Sequence, residues 1–174
     1  VVYGFFGLVV IVPVIRTLGR DLGFGGNGSS ILTASILLGM MILPTIIGLT
    51  ESSVRAVPEQ YYEGAVALGA THERAIFRVV IPAAKSGVVA AIVLGVGRAI
   101  GETMAVIMVA GNQARMPAGI FRGVRTLTAN IVIEMGYATG LHREALIATG
   151  VVLFVFILII NFCVAVLKRR TSHE

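Results

Sequence analysis

The segment Glu63-Gly64-Ala65-Val66-Ala67-Leu68-Gly69, followed nine residues later by Val79-Val80-Ile81-Pro82, sets the organisation of the chain. Long apolar segments flank it on both sides, whereas its own surroundings are rich in charge. The charged and titratable residues here are Glu59, Glu63, His72, Glu73, Arg74, Arg78 and Lys85. Such a segment cannot lie in hydrocarbon, because its polar groups would have no partners there. We therefore expect a hairpin that projects into water between two membrane spans.

Local signals predict how this hairpin folds. Pro58 suits the first turn of a helix that would run to about Leu68, and Gly69 would break it. Thr71 can cap a second helix through about Val80, before Pro82 closes the unit.

The composition indicates an all-α integral membrane protein. Of the 174 residues 56% are hydrophobic, only 13% are charged, and the mean hydropathy is +0.92. The net charge of +5 does not predict a nucleic-acid partner, because the basic residues gather at span ends and in loops. The single cysteine, Cys163, excludes an intrachain disulfide. No Cys/His cluster predicts a metal site, and we assign no catalytic residue and no bound cofactor.

About four membrane spans are expected. Val1 to Ile15 is uncharged but shorter than the ~20 residues that a spanning helix needs, so it is expected to be the end of a span that Pro13 ends or kinks. The other expected spans are 31–50, which contains Pro44, 86–112, and 145–167, which the basic run 168–170 stops.

The segments between these spans are expected to lie in water or at the membrane surface. Residues 16–30 are interpreted as an exposed loop, and their Gly-rich run lacks the Lys-Ser/Thr ending of a phosphate-binding loop. In residues 113–143, a short amphipathic helix is predicted at the membrane surface. Its apolar positions are Val124, Leu127, Ile131 and Met135, opposite Asn130 and Glu134. His72 and His142 are interpreted as solvated. For Arg122 and Arg125 we favour solvation in a loop, and the alternative is contact with a binding protein or with phosphate.

Arg98 and Glu102 are two charges inside an expected span. An ionisable residue there costs ~2.5–3.5 kcal/mol on insertion scales and usually faces a partner or a water-filled path. Four residues apart on one helix, they would share a face. Arg98 would then offer positive charge to a passing anion, and Glu102 would neutralise it between turnovers. The alternative is a structural pair that fixes helix packing, and Gly97 and Gly101 indicate close packing of the same helix.

The hairpin pattern resembles the EAA loop of ABC importer permeases: Glu, two small residues, any three, Gly, any nine, aliphatic, any, aliphatic, Pro. The residues that match are Glu63, Gly64, Ala65, Gly69, Val79, Ile81 and Pro82, with Gly64 in place of the first Ala. The resemblance implies that the hairpin docks into a groove on a separate ATPase subunit and acts as a lever. The alternative is an ordinary cytoplasmic loop. The chain has no Walker A pattern, so we expect no enzymatic activity from it; ATP and Mg²⁺ would bind the partner ATPase.

A second segment, Gly-Arg-Ala-Ile-Gly-Glu-Thr-Met-Ala-Val at 97–106, resembles the phosphate-specific importer permeases of the PstC type. This resemblance implies a type I, MetI-like permease bundle whose translocation pathway includes Arg98, Glu102 and Thr103. It also implies a second, PstA-like permease, an ATPase dimer and an extracellular phosphate-binding protein as partners, in a bacterial or archaeal inner membrane with lipid around it. Residues 1–174 would be the C-terminal part of a longer permease domain.

The orientation of the chain also comes from this resemblance. It places hairpin 51–85 and the C-terminus in the cytoplasm. The Lys and Arg residues divide almost equally between the two sides, so charge bias alone is weak.

Other functions stay open at this point. The chain could be a permease for another oxyanion such as molybdate or sulfate, or the PstA-type partner. A non-conducting membrane sensor or scaffold is a further alternative. A passive channel is a third, against which the hairpin argues.

Overall fold

In a computed structural model, residues 1–23 and 25–171 are described, with the backbone alone at residues 164 and 167–171. The described part of the chain is helical. The helices are α1 (Val2–Asp21), α2 (Ile31–Arg55), α3 (Glu59–Ala67), α4 (His72–Ala83), α5 (Lys85–Gly101), α6 (Met104–Val109), α7 (Leu127–Glu134) and α8 (Gly140–Thr171). They form two units, one of residues 1–41 and 98–158 and the other of residues 42–97 with the chain from residue 159 onward.

In the first unit, α1, the start of α2 and α6 share an apolar core. Its central side chains are Leu37, Val106 and Val109, all at most 3% exposed. The glycines of α1 let the helices approach closely: a Cβ at Gly4 would lie 2.9 Å from the Cα of Ala105 in α6. Small residues at helix contacts are typical of membrane bundles, where close backbone packing replaces the hydrophobic effect.

The amino end of α2 is fixed by carbonyl groups from elsewhere in the first unit. The amides of Ser30, Ile31 and Leu32 donate to the carbonyls of Val109, Arg122 and Ile120 at 3.0–3.1 Å. Buried Ser30 and Thr33 add hydroxyl bonds, because Ser30 Oγ accepts from the Thr33 amide at 3.3 Å. The first amides of a helix have no partner within the helix, so these bonds hold the loops against its start.

The second unit contains the hairpin helices α3 and α4, together with the helices that lead into and out of it. Helix α2 continues to Arg55, whose side chain pairs with Glu51 at 2.9 Å. Helix α5 packs closely on α2, since a Cβ at Gly95 would lie 2.6 Å from Ile46. At Ala84 the chain bends by 66° between α4 and α5.

By length and composition, three helices in the described part of the chain can cross a membrane, or up to four if the bent pair α4–α5 counts as one. The three are α1, α2 and residues Gly140–Cys163 of α8. The spans expected at 31–50 and 145–167 are helical over their whole length. The side chains of the basic run 168–170 lie outside the described residues.

The prolines of α1 and of the hairpin differ in outcome. The loop expected from Arg16 was wrong, because α1 runs past Pro13 to Asp21. Pro82 was expected to close the hairpin, and α4 ends one residue after it, at Ala83, before the bend to α5. In each case a π turn, Gly7–Ile11 or Ile76–Val80, comes just before the proline. The helix then restarts with proline in its first turn, where the missing N–H costs little.

Candidate functional site

The hairpin turns at Gly69, between α3 and α4. Gly69 has φ +85°, a left-handed conformation that suits glycine. Its amide donates to the Val66 carbonyl at 2.8 Å, and the amide of Ala70 donates to the Ala65 carbonyl at 3.1 Å. These two bonds make a Schellman motif, which ends α3 with its last carbonyls satisfied. Thr71 then begins α4, with its Oγ1 accepting from the Arg74 amide at 3.4 Å, as predicted.

The two arms of the hairpin are joined side by side. Tyr62 on α3 reaches His72 on α4, with 2.7 Å between Tyr62 Oη and His72 Nδ1 and the two rings edge to face. Below this bond, Ala75 is fully buried. The interpretation of His72 as solvated missed this bond. Its partner Tyr62 lies ten residues away in the sequence, and no local pattern predicts the contact. The bond and the ring contact join the two arms of the hairpin.

The matched residues of the pattern fall on both arms. Glu63, Gly64 and Ala65 lie on α3, Gly69 lies at the turn, and Val79, Ile81 and Pro82 lie on α4. Glu63 is exposed, and in the part of the chain that the structure describes no ion pair involves it. Among the described residues, Glu63 therefore forms no charged contact within the hairpin.

The hairpin carries exposed apolar side chains on both arms. Leu68, next to the turn, is 92% exposed, Phe77 on α4 is 69% exposed, and Tyr61 and Val66 on α3 are also exposed. Large exposed apolar side chains are typical of a surface that binds another protein.

The second candidate site lies where the span expected at 86–112 breaks. Helix α5 ends at Gly101, and α6 begins at Met104. Glu102 therefore does not continue the helix of Arg98, and among the described ion pairs none joins the two side chains. The prediction that they share one helix face was wrong. Glu102 Oε1 instead accepts from the Ala105 amide at 3.1 Å and satisfies the start of α6. Thr103 Oγ1 turns back to the Gly101 carbonyl at 3.3 Å.

Glu102 also lines a cavity of about 240 Å³ within the first unit. The cavity is mostly apolar, and Ser35, Thr126 and Thr128 are its other polar lining residues. Arg98 is exposed and does not line it. The structure thus assigns the two charges of this segment to different surroundings.

A polar network around Arg125 was missed by the sequence analysis. Arg125 Nη1 lies 2.6 Å from Glu134 Oε1 and 3.3 Å from Asn130 Oδ1, and its Nε donates to the Asn112 carbonyl at 3.1 Å. His142 Nε2 lies 3.3 Å from the other Glu134 oxygen. Arg125 and Glu134 are 22% and 17% exposed, so their pairing is partly shielded from water. Asn130 and Glu134 lie four residues apart on α7 and so share a face, and this spacing is the signal that could have indicated the network.

This network perturbs Glu134. The hydroxyl of Tyr137 lowers the pKa of the Glu134 carboxyl, burial partly opposes the shift, and Arg125 and His142 lower it further. Helix α7 therefore has a polar face fixed to the protein, and its other positions, Leu127 and Val132, are exposed.

Within residues 1–23 and 25–171, no group of three His, Cys, Asp or Glu side chains is placed to hold a metal ion.

Comparison with known proteins decides the family. Residues 2–173 match the family described as the binding-protein-dependent transport system inner membrane component. The chain belongs to this family. Its helical fold and apolar helices are those of a multi-pass inner-membrane permease, as the hairpin pattern predicted.

Three relatives show the degree of similarity. The chain is 40% identical to the probable ABC transporter permease protein YqgH of Bacillus subtilis over 93% of its own length and 53% of that protein. It is 39% identical to phosphate transport system permease protein PstC 1 of Mycobacterium tuberculosis, over 93% and 48%. It is 35% identical to PstC of Haemophilus influenzae, over 89% and 54%. The chain spans about half the length of these relatives, and no solved structure matches it.

Proposed function

We propose that this permease chain is part of the transmembrane subunit of an ATP-driven importer of inorganic phosphate. The observation that carries the proposal is the hairpin, a helical pair with exposed apolar side chains, joined through a 66° bend to an apolar helix. The names of the PstC relatives support phosphate as the substrate.

The hairpin would work as a lever. A separate ATPase dimer, which binds ATP and Mg²⁺, would bind the hairpin through the exposed side chains of Leu68 and Phe77. Glu63 would make a charged contact with the same partner. Because the Schellman motif and the Tyr62–His72 bond stiffen the hairpin, movement of the ATPase would pass to α5 rather than be absorbed in the turn.

The far end of α5 would be the moving part of the pathway. Arg98 lies in its last turn, and Glu102 and Thr103 form the break just after it. Tilting α5 would change the position of the Arg98 charge relative to the Glu102 carboxylate. An anion would be attracted by the first and repelled by the second, so their separation fits a site that alternately binds and releases phosphate.

Partners and orientation belong to the same proposal. The hairpin and C-terminus would face the cytoplasm, a PstA-like permease would complete the pathway, and an extracellular phosphate-binding protein would deliver the substrate. If α2 crosses the membrane once, the loops at its amino end lie in the opposite compartment from the hairpin.

The test is ATP-dependent uptake of radiolabelled phosphate into vesicles that contain the full-length complex and its binding protein. We expect unlabelled phosphate to compete, and excess molybdate or sulfate not to compete. Leu68→Asp should abolish uptake, whereas Leu22→Asp, a control at an exposed leucine just after α1, should retain it. Uptake of molybdate or sulfate instead of phosphate would overturn the substrate. Normal uptake by the Leu68→Asp complex would overturn the lever.

A further inference from the structure

A small polar cavity lies in the first unit, where the loop after α1 meets the loop between α6 and α7. Its volume is about 180 Å³, room for roughly six water molecules at about 30 Å³ each. The polar side chains that line it are Asn27, Ser29, Gln113, Arg115 and Arg122. It shares no lining residue with the cavity that contains Glu102.

The cavity is positively charged. Of the residues that the structure describes, two arginines line it and no carboxylate does. In the described part of the chain, neither Arg115 nor Arg122 belongs to an ion pair. Arg115 Nε donates to Gln113 Oε1 at 3.0 Å, which orients the guanidinium group and leaves its other N–H groups available. Both arginines thus retain donors for an acceptor that enters the cavity.

The walls are held in place by backbone contacts. The Arg122 carbonyl accepts from the Ile31 amide at 3.1 Å, which fixes the backbone of Arg122 at the start of α2. Gly26, at φ +129°, lets the two loops approach, because a Cβ there would lie 3.0 Å from the Phe121 carbonyl oxygen. At Gly123 a Cβ would lie 3.1 Å from the Ala110 carbonyl oxygen. Close loop packing therefore shapes the cavity before any ligand arrives.

We propose that this cavity binds a phosphate-type oxyanion. Guanidinium groups match the oxygens of phosphate with paired, charge-assisted hydrogen bonds, and the hydroxyl and amide groups of Ser29, Asn27 and Gln113 supply further donors. Nothing in the lining opposes an anion, in contrast to the carboxylate of the Glu102 cavity. The inference rests on the proposed function for its location, which puts the cavity on the side from which phosphate enters. There it would concentrate the anion next to the permease.

Two sources can supply this chemistry: free inorganic phosphate, or the phosphate of an anionic lipid headgroup. The test measures binding of radiolabelled inorganic phosphate to the full-length complex without its binding protein, in nanodiscs of phosphatidylcholine. A parallel arm measures retention of phosphatidylglycerol by the complex in mixed nanodiscs. The variants are Arg115→Gln with Arg122→Gln, and the control is Arg143→Gln, an exposed arginine on α8 outside the cavity.

We expect at least about tenfold weaker phosphate binding in the double variant and no change in the control, since a charge-assisted bond contributes on the order of a factor of ten. Loss of lipid retention in the double variant, without phosphate binding in the wild type, would assign the cavity to the lipid headgroup. Equal binding of both ligands to the wild type and the double variant would overturn the inference. The inference would also be overturned if the double variant kept its phosphate and lipid binding and lost only the stimulation of its ATPase activity by the binding protein. That result would identify a protein-docking surface.

The same preparations are assayed for phosphate uptake. A wild-type complex that takes up phosphate but shows no arginine-dependent binding contradicts only this inference. A complex that binds phosphate through these arginines but takes up none contradicts only the proposed function.

Discussion

Replacing Gly69 with alanine isolates the backbone cost of the hairpin turn. Gly69 has φ +85°, and a Cβ built there meets nothing within 4 Å, so no steric clash contributes. A left-handed conformation costs an L-residue ~1–2 kcal/mol, and alanine recovers part of this by restricting the unfolded chain, which leaves a net cost of about 1 kcal/mol. We expect roughly a fivefold increase in local opening of the hairpin.

Gly64→Ala is the matched control for this substitution. Gly64 lies inside α3, and a Cβ there also has open space. Alanine stabilises a helix interior by about 0.5–1 kcal/mol relative to glycine. This variant should therefore reduce local opening of the hairpin by about two- to fivefold. It also restores the alanine that the permease pattern has at this position.

The assay is hydrogen exchange of the full-length complex, followed at the amides of Leu68, Gly69 and Ala70. These amides make the bonds that end α3, so their exchange reports opening of the turn. Exchange should be faster in Gly69→Ala and slower in Gly64→Ala than in the wild type. Gly69→Asn should lie between the wild type and Gly69→Ala, because asparagine tolerates left-handed backbone. Equal protection of Gly69→Ala and Gly64→Ala would refute the reasoning.

Three further predictions concern the first unit. Gly4→Ala should lower the thermal midpoint of the purified complex, because the new methyl group would meet the backbone of α6 at a cost of about 1–3 kcal/mol. Gly39→Ala is the control, since a Cβ at Gly39 has open space and should leave the midpoint unchanged. Equal midpoints of the two variants would contradict the close packing of α1 on α6. Because the pKa of Glu134 is lowered in the folded state, its contribution to stability is present above the unfolded value of about 4.5 and is lost as the pH falls through the folded pKa, which lies below that value. Glu134→Gln should therefore flatten the dependence of the thermal midpoint on pH between about 6 and 3, and an unchanged slope would contradict the network. Glu102→Gln keeps an acceptor for the start of α6, so it should change phosphate uptake while the thermal midpoint stays the same. Glu102→Ala removes the acceptor and should cost about 1 kcal/mol of stability. Arg98→Gln should reduce uptake in an assembled complex, and normal uptake in that complex would remove Arg98 from the pathway.

The hairpin could be predicted from sequence because its signals are local. A left-handed glycine at 69 and a capping hydroxyl at 71 act within one helical turn, so the backbone conformation follows from these residues themselves. The bond between Tyr62 and His72 is not local in this sense, since it forms only when the two arms pack together.

The break in the span at Glu102 could not be read from hydropathy. Residues 104–110 are as apolar as the helix before them, and the break is held by the Glu102 cap and by burial of Ala105 and Val109 against α1 and α2. The Arg125 network was hidden for a similar reason. Its members come from residues 112–142, and a loop arginine looks solvated until the fold shields it.

Pro13 shows a different limit. At this position the general rule predicts a helix end, yet the preceding π turn moves the proline into a first turn. Nothing in a single sequence distinguishes this accommodation from a true end.

The most direct test of the central claim measures phosphate-stimulated ATPase activity of the full-length complex, with its binding protein, in lipid. The variant is Glu63→Lys, at the exposed carboxylate of α3, and the control is Gln60→Lys, an exposed position on the same short helix. If the hairpin couples transport to the ATPase, Glu63→Lys abolishes the stimulation in an assembled complex and Gln60→Lys retains it. Full stimulation by phosphate in the Glu63→Lys complex would contradict the account.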